Sequence, residues 1–144
     1  MATSTTSISN PYKFRVSRNA AANIGNGAFL KITYDTEQYD TNSNFSGGTY
    51  TVPVSGYYQF NWSLSATMSS GADELLTTAI FKNGVEYSRG STINYRNAEG
   101  VSGSDIIQLA AGNTVEIQAF GTVGRAIGVG ASTCYFSGYL VSQT

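Results

Sequence analysis

The sequence predicts an all-β fold, two antiparallel sheets packed face to face, and three observations carry the prediction. Runs rich in Val, Ile, Thr, Tyr and Phe recur at roughly 8 to 12 residue intervals, each ended by Gly, Asn or Ser turn residues. Within several runs apolar and polar residues alternate, the period of a strand with one buried face. Charged residues are only 12% of the chain, while Gly, Ser, Thr, Asn and Tyr are abundant, a composition of strands and tight turns. With 144 residues the chain suits one domain around one core.

Residues 1–11 are Ser/Thr-rich without an apolar period and end at Pro11, which reads as a flexible arm that anchors to a partner. The folded domain is expected over 12–144. Its first strand is "YKFRVSR", where Tyr12, Phe14 and Val16 alternate with Lys13, Arg15 and Ser17. "NIGNGAF" reads as a turn and "AFLKITYD" as the next strand. The acidic, amide-rich "DTEQYDTNSN" reads as a surface loop carrying a short edge strand toward Phe45. "TYTVPV" alternates again, with Pro53 suited to an edge or a strand end because it donates no ladder hydrogen bond.

Ser55-Gly56 then turns into the longest run, "YYQFNWSLSATM". Tyr58, Phe60, Trp62 and Leu64 share one face and are assigned to the core; Tyr57, Gln59, Asn61 and Ser63 share the other. The second face is too mixed for a dry core and too aromatic for ordinary solvent exposure. "ELLTTAIFKNGVEYSRG" forms a hairpin about Asn83-Gly84, a pair that matches a type I′ turn. "TINYR" extends that pairing, "NAEGVSGS" reads as loop, and "DIIQLAAGNTVEIQAFG" gives two strands about Ala111-Gly112-Asn113. "TVGRAIGVGAS" reads as a Gly-rich connection before the last strand, "TCYFSGYLVS". There Tyr135, Ser137 and Tyr139 oppose Cys134, Phe136 and Gly138 across the strand, and a close backbone neighbour would account for Gly138. Only "ADELLTTAIF" has helix-like content, and its Thr pair and following turn argue against a helix.

Composition excludes several functions. A net charge of −1 and one small basic cluster, Lys13, Arg15 and Arg18, give no stripe for nucleic acid. No run reaches the length of a membrane span, and the N-terminus lacks the pattern of a signal peptide. With no His and a single Cys, Cys134, neither a nucleophile-base pair nor a common zinc site can be assembled, so an enzyme is not expected. No cofactor is expected. The one cation considered is calcium, for which Asp35, Glu37 and Asp40 would supply oxygens, against the plainer reading of a solvated acidic loop.

Three stretches in order carry a family resemblance. "YTVPVSGYYQFNW" resembles the "CPVPGxYxFxY" signature of the complement C1q globular head, a tumour necrosis factor-like jelly roll, with Tyr50, Pro53, Gly56, Tyr58, Phe60 and Trp62 on its positions. "SGSDIIQLAAGNTVEIQ" is similar to that family's "SGSxxLQLxxGDxVWLQ", and "CYFSGYLV" to its "STFSGFLL". Tyr50, Trp62 and Asn113 depart from the preferred residues, "YDTNSNFSGG" is longer than usual, and there is no collagen stalk. Stalkless relatives at microbial surfaces or on virions are the better comparison.

The resemblance implies a jelly-roll sandwich that associates as a homotrimer. It assigns Tyr57, Gln59, Asn61, Tyr135, Ser137 and Tyr139 to the contact between copies. It implies a non-catalytic structural or recognition head at a virion or extracellular surface, such as a spike, decoration protein or fibre tip, attached to a larger particle through residues 1–11. The alternative is a lectin-like module that binds glycan or protein through Tyr39, Asn42, Tyr87 or Tyr95.

Overall fold

The computed structural model describes residues 10–67, 74–95, 99–122, 125–127 and 130–144. Among these every regular element is a strand. The first sheet orders β4 (Thr36–Asp40), β1 (Lys13–Ser17), β13 (Tyr135–Gln143), β7 (Gly56–Thr67) and β10 (Glu99–Leu109), all antiparallel. The second orders β5 (Phe45–Ser46), β6 (Thr49–Thr51), β11 (Thr114–Gly121), β8 (Glu74–Lys82) and β9 (Val85–Tyr95). Three short strands, β2 (Asn23–Asn26), β3 (Leu30–Lys31) and β12 (Arg125–Ile127), complete the set. β12 and β2 link the end of β7 to the end of β11, joining the two layers there.

The alternation read in β7 is what places the core. Tyr58, Phe60, Trp62 and Leu64 are all buried between the sheets. Phe14 from β1 stacks on Tyr50 from β6, ring centroids 4.4 Å apart, and meets Phe136 of β13 edge-on at 4.9 Å. The Phe14–Tyr50 stack ties one layer to the other. Each buried ring contributes about 1.5–3 kcal/mol. The polar ends of these side chains are also satisfied: Trp62 Nε1 donates to Thr78 Oγ1 at 2.9 Å, and the Tyr58 hydroxyl donates to the Val54 carbonyl at 2.8 Å.

Several boundaries differ from the sequence reading. "NIGNG" holds β2 before its turn at Gly27 (φ 72°). Only Leu30–Lys31 of "AFLKITYD" is strand, because the chain leaves the second sheet there and crosses to the first: Ile32 N donates to Ile117 O, but Asp35 N donates to Ser17 O. In the acidic stretch read as a loop with a short edge strand, the strand is β4, which occupies Thr36–Asp40 and pairs along β1 through a bulge. Pro53 lies beyond β6, at the strand end where a missing donor costs nothing. Residues 99–104 of the expected loop are strand, aligned with β7 from Glu99↔Ala66 to Ser104↔Asn61. Gly103 is small because the Trp62 indole, its cross-strand partner, fills the place of a Cβ.

Gly138 has the same explanation. A Cβ there would lie 2.6 Å from Phe60 Cδ1 and 2.8 Å from Phe14 Cε1, so rings from both flanking strands, rather than a neighbouring backbone, exclude a side chain. The "ELLTTAIFK" segment is strand throughout, and the Asn83-Gly84 turn has φ of 51° and 78°, as a type I′ hairpin requires. β9 and β10, the free edges of the two sheets, meet at one point. Ser91 Oγ donates to the Ser102 carbonyl at 3.1 Å and accepts from Ser102 N at 2.9 Å, with Gly90 pressed against that carbonyl.

Candidate functional site

The outer face of the first sheet is assembled by strand register. One row across it reads Lys13, Tyr139, Gln59, Ile106; the next reads Arg15, Ser137, Asn61, Ser104, with Tyr39 flanking Arg15 on β4. A third row holds Ser17, Tyr135, Ser63 and Ser102. Because β7 lies between β13 and β10, the odd-numbered residues of 57–61 stand in the middle of this surface, and Tyr135, Ser137 and Tyr139 stand directly beside them. The structure therefore brings together all six residues expected at a contact between copies.

Most of the large exposed hydrophobic side chains among the described residues are also here: of the eight, Tyr39 (44%), Tyr57 (40%), Tyr139 (45%) and Ile106 (55%) lie on this face, with Val141 beside them at a bulge in β13. Such a patch on a small, weakly charged protein marks an interaction surface. Alternation along the last strand groups Val141 with Tyr135, Ser137 and Tyr139, whereas only register places Ile106 outside. Polar groups on the face are partly tied to one another. Gln59 Nε2 donates to the Phe60 carbonyl and to Asn61 Oδ1, and Arg15 lies 4.8 Å over the Tyr135 ring while donating to the Ala131 carbonyl.

The other candidates do not form one site. Tyr39 and Asn42 belong to the β4 side of the first sheet, whereas Tyr87 lies on β9, at the opposite lateral edge, with the Lys82 ammonium 5.6 Å over its ring. Tyr95 ends β9, and its side chain falls outside the described residues. The three acidic residues considered for calcium do not converge. Asp35 is occupied by the backbone N–H groups of Asn19 (2.8 Å) and Ala20 (2.6 Å), which hold its carboxyl below the usual carboxylate range, and Asp40 accepts from Phe45 N at 2.8 Å. Glu37 extends from the sheet edge, and among the described residues no three acidic, Cys or His side chains converge. The two carboxylates organise turns instead.

Two open cavities flank the sandwich. One of about 360 Å³ lies where Lys82 Nζ donates to the Gln108 carbonyl, between Ser55 and Asn113. The other, about 350 Å³, is walled by Phe29 and Phe120, with the Arg89 guanidinium 5.3 Å over Phe29 and locked by two hydrogen bonds to Glu86. Cys134 is fully buried, and burial pushes its thiol up to about 11, so it is a packing residue.

Comparison with known proteins agrees with this architecture. The family model described as the C1q domain matches residues 13–141. The structure is similar to the globular domain of a zebrafish complement 1qA protein (TM-score 0.65, 21% identity, covering 92% of this chain and 99% of that one). It is also similar to the Eiger TNF of S. frugiperda (TM-score 0.69, 10% identity, 94% and 96% covered) and to murine APRIL (TM-score 0.68, 6% identity, 90% and 98% covered). No curated protein matches. Domains of this kind are recognition or signalling modules without catalysis, and they assemble as homotrimers. The match runs from the start of β1 into β13, on a two-sheet jelly roll whose outer face carries the exposed rings, and the chain belongs to the C1q domain family.

Proposed function

We propose that this chain is a non-catalytic head that assembles as a homotrimer through the outer face of its first sheet. In this reading it serves as a structural or recognition module on a virion or microbial surface, with residues 1–11 as the anchoring arm. The observation that carries the assembly is the clustering of Tyr39, Tyr57, Ile106 and Tyr139 on one face of a chain with few charges. Joining three copies there removes the rings from water without any change of fold. The Ser/Thr-rich character of 1–11 supports attachment by an arm.

The mass in solution tests the assembly: micromolar protein is expected at three times the 15.3 kDa of the chain by light scattering, and a monomer contradicts it. Deleting residues 1–11 tests the arm. It should abolish binding to the parent particle while leaving the trimer intact. Tyr87 is half-exposed on β9, in the second sheet. A saturable glycan-array signal lost in Tyr87→Ala would favour the lectin-like reading.

A further inference from the structure

We propose that neighbouring copies are held head to tail by an ion pair between Lys13 of one protomer and Asp105 of the next, flanking a contact of Ile106 with Tyr139; this rests on the trimer reading above. A closed ring of three identical subunits cannot use one self-complementary patch, so each copy must present two different patches that fit each other. The first sheet has two such ends. On the β1 side stand the cations Lys13 and Arg15 beside the rings of Tyr139 and Tyr39. On the β10 side stands Ile106, 55% exposed, next to Asp105.

Charge is distributed to match. Arg15 is engaged with Tyr135 and Ala131, but the Lys13 ammonium has no partner among the described residues. The Asp105 carboxylate likewise accepts no hydrogen bond and joins no ion pair among them. Asp105 is half-buried on the edge strand β10, on the same side of the sheet as Phe60, its partner across the ladder. A charge so placed also discourages uncontrolled edge-to-edge pairing, which leaves the edge for a specific neighbour.

Height along the strands agrees as well. Lys13, Tyr139, Gln59 and Ile106 form one row, and Phe14, Gly138, Phe60 and Asp105 form the adjacent one. Rotation about an axis preserves height along it. With the strands running along the three-fold axis, the Asp105–Ile106 end of one copy arrives at the level of Lys13 and Tyr139 in the next. No other acidic side chain with a described position stands on β7, β13 or β10.

The experiment uses the full chain with Lys13→Glu, Asp105→Lys and the double exchange, each checked for its strand circular dichroism and followed by light scattering over a dilution series. Each single exchange places like charges at every contact and is expected to weaken association by about tenfold per contact, roughly a thousandfold for the ring. The double exchange restores the trimer. An equimolar mixture of the two single variants recovers only in part, to about tenfold weaker than wild type, because an odd ring gains two complementary contacts but always retains one between copies of the same kind. Full rescue by mixing would point to a two-fold dimer and overturn the proposal. Should a charge exchange disturb folding, Lys13→Gln and Asp105→Asn are expected to leave a folded protein whose association no longer weakens with added salt. A wild-type trimer whose dissociation is unmoved by all of these variants overturns the ion pair and leaves the trimer standing; a wild-type monomer overturns both.

Discussion

Gly138 and Gly103 each stand opposite an aromatic ring on β7, and the ring takes the volume a side chain would need. Gly138→Ala is therefore expected to destabilise the fold by about 1–3 kcal/mol, read as a lower urea midpoint, because Phe60 and Phe14 must both shift. Sequence alone assigned the faces of Tyr58, Phe60 and Trp62, since alternation needs no partner. The reason for Gly138 was hidden, because it depends on which residues lie across the ladder. Cys134 makes a second prediction. Its thiol is raised from 9.0 to about 11 by burial, so the folded state holds that proton more tightly than the unfolded chain. The contribution is complete below pH 9 and is lost as pH climbs toward 11. Native protein should not react with a thiol reagent at pH 8, and urea-unfolded protein should; prompt native labelling would contradict the burial.

At the level of elements, the hairpin at Asn83-Gly84 was the most legible feature, because positive φ at two successive residues demands those residue types. Asn83 also accepts from Thr114 N at 2.9 Å, which joins the turn to β11. Gly84→Ala should cost about 1–2 kcal/mol through backbone strain alone, since a Cβ there meets no neighbour. Equal stability of that variant would show the turn relaxing to another type. Least legible were the strands that exist only by pairing. Glu99–Ser104 has little apolar character, Arg125–Ile127 and Leu30–Lys31 are too short to show a period, and Thr36–Asp40 is polar because it is an edge. The acidic residues of that edge carry hydrogen bonds to turns, a role that composition could not separate from a metal site.

Across the whole molecule, the two-sheet architecture was readable from spacing and turns, and the family from three ordered stretches. The contact surface was readable only in part. Tyr57, Gln59 and Asn61 follow from alternation, whereas their meeting with Tyr139, Tyr39 and Ile106 follows from strand order. Replacing Tyr139 and Ile106 together by Ser should raise the dissociation constant of the assembled head at least about a hundredfold, while the monomer's thermal unfolding stays within a few degrees. Loss of the fold itself would place those residues in the core.

β13 lies between β1 and β7, so the first sheet has a gap at its centre until Tyr135–Gln143 arrives. Until β13 has been made, β1 and β7 have no strand to join them, and Phe14 and Phe60 lack the partner that closes over them. Emergence of that strand from the ribosome becomes the event that commits the domain to its shape, and a chain cut before residue 135 yields material for proteases rather than a shortened head.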